Sequence, residues 1–238
     1  MRVVKIRHLA PFLIGVGMTE IGWFLVSPHS SDHASKVPFA RGTRAWRLPP
    51  GDNMLISDAQ DDLRRAYVGG GPGVVISGVI WLVATLIQPG RGVSTAFAAL
   101  FFGGMLIFPG TKLICRTVFH RENESFNNPL GMAVLEGTFA MIGGLFAAWL
   151  FVSLRPALVF PLAAIAVSTH YFVFKTVYGD RSFWLLAAVV TAIGLGDIFV
   201  MPMHGSTALL VSATELAFGL VLTIREKGST RTVVGTNI

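Results

Sequence analysis

Residues 69–88 read GGGPGVVISGVIWLVATLIQ. These 20 residues include no charged side chain, and about 20 apolar residues are what an α-helix needs to cross the hydrocarbon of a bilayer. In that solvent only a helix or a closed barrel satisfies the backbone donors and acceptors. The stretch therefore predicts a transmembrane helix.

Five more stretches of the same character follow, separated by turn-forming residues such as Pro89-Gly90 and Arg155-Pro156. Only 13% of the residues are charged and 53% are hydrophobic, whereas about a quarter of a soluble domain is charged. The sequence predicts an all-α, polytopic integral membrane helix bundle with six transmembrane helices. The predicted spans are Gly69–Gln88, Val93–Pro109, Gly131–Val152, Ala157–Phe174, Phe183–Met201 and Ser206–Ile224.

Basic residues set the predicted orientation, because Lys and Arg concentrate in cytoplasmic loops. Ten flank one side of the predicted spans, and only Arg91 and Arg155 flank the other. Both termini are therefore predicted to be cytoplasmic, in the plasma membrane, with anionic lipid contacts at the inner leaflet. Tyr171, Tyr178 and Trp184 are expected at the inner headgroup level as an aromatic belt. The ten are Arg64, Arg65, Lys112, Arg116, Arg121, Lys175, Arg181, Arg225, Lys227 and Arg231.

The net charge of +6 is explained by these basic anchors. No aromatic-basic signature of nucleic-acid binding is present, so no nucleic acid partner is expected. The single cysteine, Cys115, excludes an intrachain disulfide. No cofactor motif occurs, and no cofactor is predicted.

A short polar segment, Ser57–Tyr67, precedes the first span. Ser57 is expected to cap a helix there, with acids in its first turn and arginines in its last. Apolar residues recur every four positions in this segment, and the resulting stripe is expected to lie on the inner membrane surface. The stripe consists of Leu55, Ala59, Leu63 and Tyr67.

The N-terminal extension, residues 1–53, does not fit the same scheme. Its apolar stretch Leu9–Val26 follows three basic residues but is interrupted by Glu20, and as a further span it would violate the charge rule. One hypothesis is that translation begins at Met54; the other is a peripheral or re-entrant arm. The six-helix domain is then 54–226, and 227–238 is a polar cytoplasmic tail.

Four ionisable residues fall inside predicted spans: Glu136, His170, Asp197 and Glu215. A charge at a helix centre costs on the order of 3 kcal/mol on insertion scales, so they should face the bundle interior. Small residues at three- and four-residue spacing accompany each acid, as in close helix contacts. Glu136 and His170, at similar depth, could hydrogen-bond as an acid–imidazole pair. The four are the candidate proton or ion sites.

Two functions suit these residues. One is a small proton- or cation-linked carrier that uses the intramembrane carboxylates. The alternative is a membrane-embedded scaffold or partner-binding protein, in which the acids join helices by hydrogen bonds. An enzyme ranks last, and none is predicted. One histidine and three dispersed carboxylates define no metal site.

Several short motifs support a family resemblance. They are Asp58–Arg65, Ile80-Trp81-Leu82, residues 102–109 (FGGMLIFP), Asn128-Pro129-Leu130-Gly131, His170-Tyr171, Tyr178-Gly179 and Glu215. Together they resemble a bacterial family of small integral membrane proteins, domain of unknown function seven thousand and ten. The resemblance implies a multi-pass membrane fold over Met54 to Glu226, and it implies no activity.

Overall fold

The computed structural model describes residues 54–200 and 206–234, and the predicted N-terminal extension lies outside them. All regular secondary structure within the described residues is helical. The α-helices are α1 (Ile56–Tyr67), α2 (Gly71–Gly104), α3 (Ile107–Thr117), α4 (Leu130–Leu154), α5 (Val159–Tyr178), α6 (Ser182–Phe199) and α7 (Thr207–Val234). Short 3-10 turns occur at Val68–Gly70 and Pro156–Leu158.

Five helical stretches of the described residues are long and apolar enough to cross a membrane. At 1.5 Å per residue, a helix of 20 residues spans about 30 Å, the thickness of bilayer hydrocarbon. The protein is therefore a helical membrane protein of the multi-pass type. The stretches are Ile56–Gly104, Leu130–Leu154, Pro156–Tyr178, Ser182–Phe199 and Thr207–Glu226.

The first of these stretches folds back on itself at Gly92, where φ is 79° and ψ is 169°. Residues on its two sides come into contact in reverse order. A Cβ placed on Gly103 would lie 2.8 Å from the Cγ2 atom of Ile80, and one placed on Gly110 would lie 3.2 Å from the Cδ1 atom of Ile76. The first two predicted spans are thus antiparallel segments of the bundle.

The end of the second segment differs from the prediction. The sequence places the break at Pro109, but the helix is interrupted earlier, at Met105 and Leu106, and Pro109 lies in the first turn of α3. Proline is tolerated there because a first-turn N–H has no intrahelical acceptor.

Long helices pack as antiparallel pairs, α2 on α7, α4 on α5 and α5 on α6. Glycines let the pairs approach closely. A Cβ on Gly71 would lie 2.6 Å from the backbone nitrogen of Thr223, and one on Gly194 would lie 2.8 Å from the carbonyl oxygen of Pro161. Small residues at membrane helix contacts permit this spacing, so the backbones of α2 and α7 are nearly in contact.

Helix α1 forms where predicted, but its capping and its environment differ. Its N-cap is Leu55, without a side-chain cap, and the Ser57 hydroxyl donates instead to the Asp58 carboxylate at 3.4 Å. Three of the four stripe residues are covered by protein, since Ala59 and Leu63 are at most 3% exposed and Tyr67 is 8% exposed, while Leu55 is 65% exposed. These three residues therefore pack on the end of the bundle, and the expectation that the stripe lies on the membrane surface is wrong for them.

Polar side chains of α1 bind the C-terminal end of α5. The Gln60 amide donates to the Thr176 carbonyl at 2.7 Å, and the Arg64 guanidinium donates twice to the Tyr178 carbonyl, at 2.8 and 3.2 Å. The last carbonyls of a helix have no intrahelical donor. These contacts supply donors for two of them and hold α1 in place.

A second polar contact joins α1 to the start of α4. The Asp62 carboxylate accepts hydrogen bonds from the Ser125 backbone N–H at 2.8 Å and from the Asn128 amide at 3.0 Å. The Asn128 side-chain oxygen in turn accepts from the Leu130 N–H at 3.0 Å. Helix α1 therefore connects the ends of α4 and α5 on one side of the bundle.

Candidate functional site

Glu215, on α7, is the most completely enclosed of the four ionisable residues singled out by the sequence. Its side chain is 0% exposed. Ala208, Ser212 and Gly219, which share its helical face at three- and four-residue spacing, are buried as well. The prediction that this acid points into the bundle is confirmed.

A tyrosine from α5 and a serine from α2 surround the Glu215 carboxyl. The Tyr171 hydroxyl donates to Oε1 of Glu215 at 2.8 Å and lies 3.4 Å from the Ser77 hydroxyl. The second carboxyl oxygen, Oε2, is buried without a hydrogen-bond partner among the described residues. A buried polar atom is normally hydrogen-bonded, so Oε2 is available for a proton or a cation.

Further polar groups line the facing surfaces of the same helices. The Thr191 hydroxyl of α6 donates to the Ser168 hydroxyl of α5 at 2.8 Å. Near the C-terminal end of α6, Thr207 of α7 donates a hydrogen bond to the Asp197 carboxylate. These four residues, with Ser77, Tyr171 and Glu215, are called the polar seam below.

Tyr171 is the residue that sequence reasoning misses. The sequence predicts it at the headgroup level, but it is only 3% exposed and its hydroxyl donates to Glu215. A signal was available, because Tyr171 and Ser168 are three residues apart and so lie on one face of a helix. The hydroxyls of that face indicate an interior polar surface.

Glu136 does not lie in the interior, and this prediction is wrong. Its side chain is exposed on α4. The face of α4 that contacts α5 is that of the next residue, Gly137. A Cβ on Gly137 would lie 3.1 Å from His170, and one on Gly144 would lie 2.7 Å from the Cβ of Ala166. One residue is a rotation of about 100° in an α-helix, which turns Glu136 outwards.

The expected pair of Glu136 and His170 is absent from the hydrogen bonds and ion pairs of the described residues. The Nδ1 atom of His170 is buried, without a well-formed hydrogen bond, and it faces Gly137 instead. The imidazole packs against the Phe174 ring, with the ring centroids 4.4 Å apart. His170 therefore belongs to the contact between α4 and α5.

Within residues 54–200 and 206–234, no group of three or more His, Cys, Asp or Glu side chains is arranged to hold a metal ion. The site that the structure assembles is instead the carboxyl of Glu215 with two hydroxyl groups. Such a site can exchange a proton, or bind a small cation, at the centre of the bundle.

Antiparallel helices of membrane-spanning length around a buried carboxyl define a multi-pass helical membrane protein. The model of DUF7010, a family of unknown function, matches residues 56–225, so the chain belongs to this family. No curated protein and no solved structure matches the chain significantly. The matched region begins in α1 and ends in α7, and it therefore includes the whole polar seam.

Proposed function

We propose that the protein is a small proton- or cation-linked carrier in which Glu215 is the ion-binding carboxyl. The observation that supports this most directly is a fully buried acid with one oxygen bound to Tyr171 and the other without a partner among the described residues. Ionisable residues inside membrane spans commonly mark ion pathways or proton relays.

The proposal includes six membrane crossings with both termini in the cytoplasm, at the plasma membrane. The turn at Gly92 divides the first apolar stretch into two antiparallel segments, which supports six crossings. Arg64 lies at the α1 end of the bundle and Arg155 follows α4 at its far end. Positive residues favour the cytoplasm, so the α1 end faces inwards in this proposal.

Cysteine labelling in intact cells tests the orientation, on a Cys115→Ala background. A membrane-impermeant maleimide should label Arg155→Cys in intact cells. It should label Arg181→Cys only after the cells are permeabilised. The reverse pattern contradicts the orientation, and labelling of both in intact cells contradicts the proposed number of crossings.

The chemistry of the site is a change in charge on a carboxyl that has no access to bulk water in this structure. Protonation of Oε2 makes Glu215 neutral, while the Tyr171 hydroxyl continues to donate to Oε1. Loss of that proton creates an anion that a cation can neutralise. Because an isolated charge in hydrocarbon is unfavourable, proton and cation would occupy the carboxyl alternately, which couples their movements.

The polar seam supports a path on one side of this carboxyl. Hydroxyl groups at Ser168 and Thr191 lie between the level of Glu215 and the end of α6 that carries Asp197. Hydroxyls both donate and accept, so they can pass a proton or solvate a cation without being charged themselves.

Purified full-length protein in liposomes tests the carrier. With pyranine trapped inside, an imposed Na⁺ or K⁺ gradient should change the internal pH faster than in protein-free liposomes. Glu215→Gln keeps the size of the side chain and should abolish the difference. Glu136→Gln, which removes an exposed acid from the same protein, is the matched control and should leave the flux unchanged.

A second candidate role is structural, and one observation favours it. The Tyr171 bond to Glu215 joins α5 to α7 where α7 packs closely on α2, as expected of an acid that holds helices together. In that case wild-type liposomes show no ion-driven pH change, while Glu215→Met lowers the free energy of unfolding. A flux that is lost in Glu215→Gln, while its free energy of unfolding stays at the wild-type value, excludes a purely structural role. The absence of enzymatic activity stays a prediction.

A further inference from the structure

A pocket of about 480 Å³ opens at the α1 end of the bundle, away from Glu215. It lies where α1, the C-terminal end of α5, the start of α6 and the C-terminal half of α7 meet. Its size falls within the range of small-ligand sites. Its lining consists of Arg64, Gly69, Tyr178, Gly179, Asp180, Arg181, Leu222, Arg225 and Glu226.

Three arginines and two acids line this pocket, so the lining side chains have a formal net charge of +1. The Asp180 carboxylate is already engaged, since Oδ1 accepts from the Ser182 N–H at 2.8 Å and Oδ2 lies 3.6 Å from the Arg225 guanidinium. The acid therefore neutralises part of Arg225 and orders the start of α6.

Arg181 differs from the other two arginines. Arg64 donates to the Tyr178 carbonyl and Arg225 to the Ser182 hydroxyl at 2.9 Å. The Arg181 side chain is exposed and makes no hydrogen bond or ion pair within the described residues. Its five donors are available to an anion.

The residues beside the pocket indicate its depth in the membrane. Trp184 is half exposed on α6, and the Lys175 ammonium lies 5.1 Å from the centre of its ring. Exposed tryptophan and lysine are typical of the boundary between hydrocarbon and headgroups. The phosphate groups of lipids occupy this level.

From these observations we infer that the pocket binds a phosphate group, with Arg181 as its principal ligand and Arg225 and Arg64 beside it. Guanidinium groups bind phosphate oxygens through paired, charge-assisted hydrogen bonds. The shared chemistry is a phosphate monoester or diester, carried by an anionic phospholipid or by a free phosphate compound. This inference does not depend on the carrier activity.

Native mass spectrometry of the full-length protein, released from detergent micelles, measures retention of added lipids. Wild type should retain phosphatidic acid in preference to phosphatidylcholine, and Arg181→Gln should weaken that retention about tenfold, as expected for the loss of a charge-assisted hydrogen bond. Arg155→Gln removes the same charge at the other end of the bundle and should change nothing. Arg181→Lys, which keeps the charge, should retain part of the binding.

A thermal-shift assay with inorganic phosphate distinguishes the two sources. Stabilisation by phosphate in wild type but not in Arg181→Gln supports a site that also accepts free phosphate. Retention of phosphatidic acid without such stabilisation supports a lipid site. The inference is overturned if the wild type neither retains phosphatidic acid in preference to phosphatidylcholine nor is stabilised by inorganic phosphate. It is also overturned if Arg155→Gln weakens binding as much as Arg181→Gln.

Discussion

The Arg64 guanidinium of α1 lies 2.8 Å from the carbonyl oxygen of Tyr178, at the last residue of α5. Gly179 follows with a φ of 66°, and a Cβ placed on it would lie 2.7 Å from the Gln60 side chain. The left-handed glycine lets the chain turn away from α5 while α1 approaches its terminal carbonyls. One short helix therefore depends on the end of another that comes 114 residues later in the sequence.

Removing the guanidinium should loosen this end of the bundle. We expect Arg64→Met to lower the free energy of unfolding by about 1–2 kcal/mol, because a hydrogen bond from a charged donor to a terminal carbonyl is lost. Denaturation by sodium dodecyl sulfate in mixed micelles measures the change. Asp61→Asn is the control, since Asp61 is largely exposed and 3.6 Å from Arg64; an equal effect of both variants contradicts the prediction.

The turn at Gly92 should depend on its backbone conformation rather than on space. A Cβ placed on either Gly90 or Gly92 would meet no atom within 4 Å, but only Gly92 has a positive φ. Gly92→Ala should therefore cost about 1–2 kcal/mol, and Gly90→Ala should be neutral or slightly stabilising. Comparison of the free energies of unfolding of the two variants measures this effect, and equal values would contradict the prediction.

The close approach of α2 and α7 should not tolerate a methyl group. A Cβ on Gly71 would lie 2.6 Å from the Thr223 backbone nitrogen and 2.9 Å from the Gly219 carbonyl oxygen. Since neither backbone atom can rotate away, Gly71→Ala should destabilise the protein by about 2 kcal/mol or more. Gly143→Ala adds the same methyl group to an exposed position with no atom within 4 Å. It should leave the free energy of unfolding unchanged or raise it slightly, because alanine is the better helix former.

The bond between Tyr171 and Glu215 should appear as a coupling energy. In a double-mutant cycle of Tyr171→Phe and Glu215→Met, we expect about 1 kcal/mol of interaction, in the range measured for polar pairs in membranes. The same cycle of Tyr171→Phe with Glu136→Met should be additive within about 0.5 kcal/mol. Coupling near zero in the first cycle would mean that the hydrogen bond does not stabilise the fold.

Much of the architecture follows from the sequence because hydrocarbon leaves few alternatives. Five helical stretches of the described residues are long and apolar enough to cross a membrane, where the sequence predicts six spans, and the Pro89 region predicts the turn at Gly92. The prediction that a helix ends at Pro109 is wrong, because a proline is compatible with either the end of one helix or the first turn of the next. Choosing between them requires the packing partner, which the sequence does not provide.

The site is predicted in part, and for a similar reason. Glu215 shares its helical face with Ser212 and Gly219, so a single pattern of small residues indicates that its side chain faces the interior of the bundle. On α4 two such patterns overlap, and the face of Gly137 packs on α5 while that of Glu136 is turned outwards. Spacing alone does not distinguish two faces 100° apart.

The pairing of α2 with α7 has a consequence for synthesis at the ribosome. Within the described residues the principal neighbour of α2 is α7. The backbone atoms that face Gly71 belong to Gly219 and Thr223, so the glycine face of α2 remains uncovered until translation has passed residue 223. A nascent chain that stops earlier presents that face to the translocon, to lipid or to a membrane chaperone. The contact between α2 and α7 therefore forms only after α7 has been synthesised.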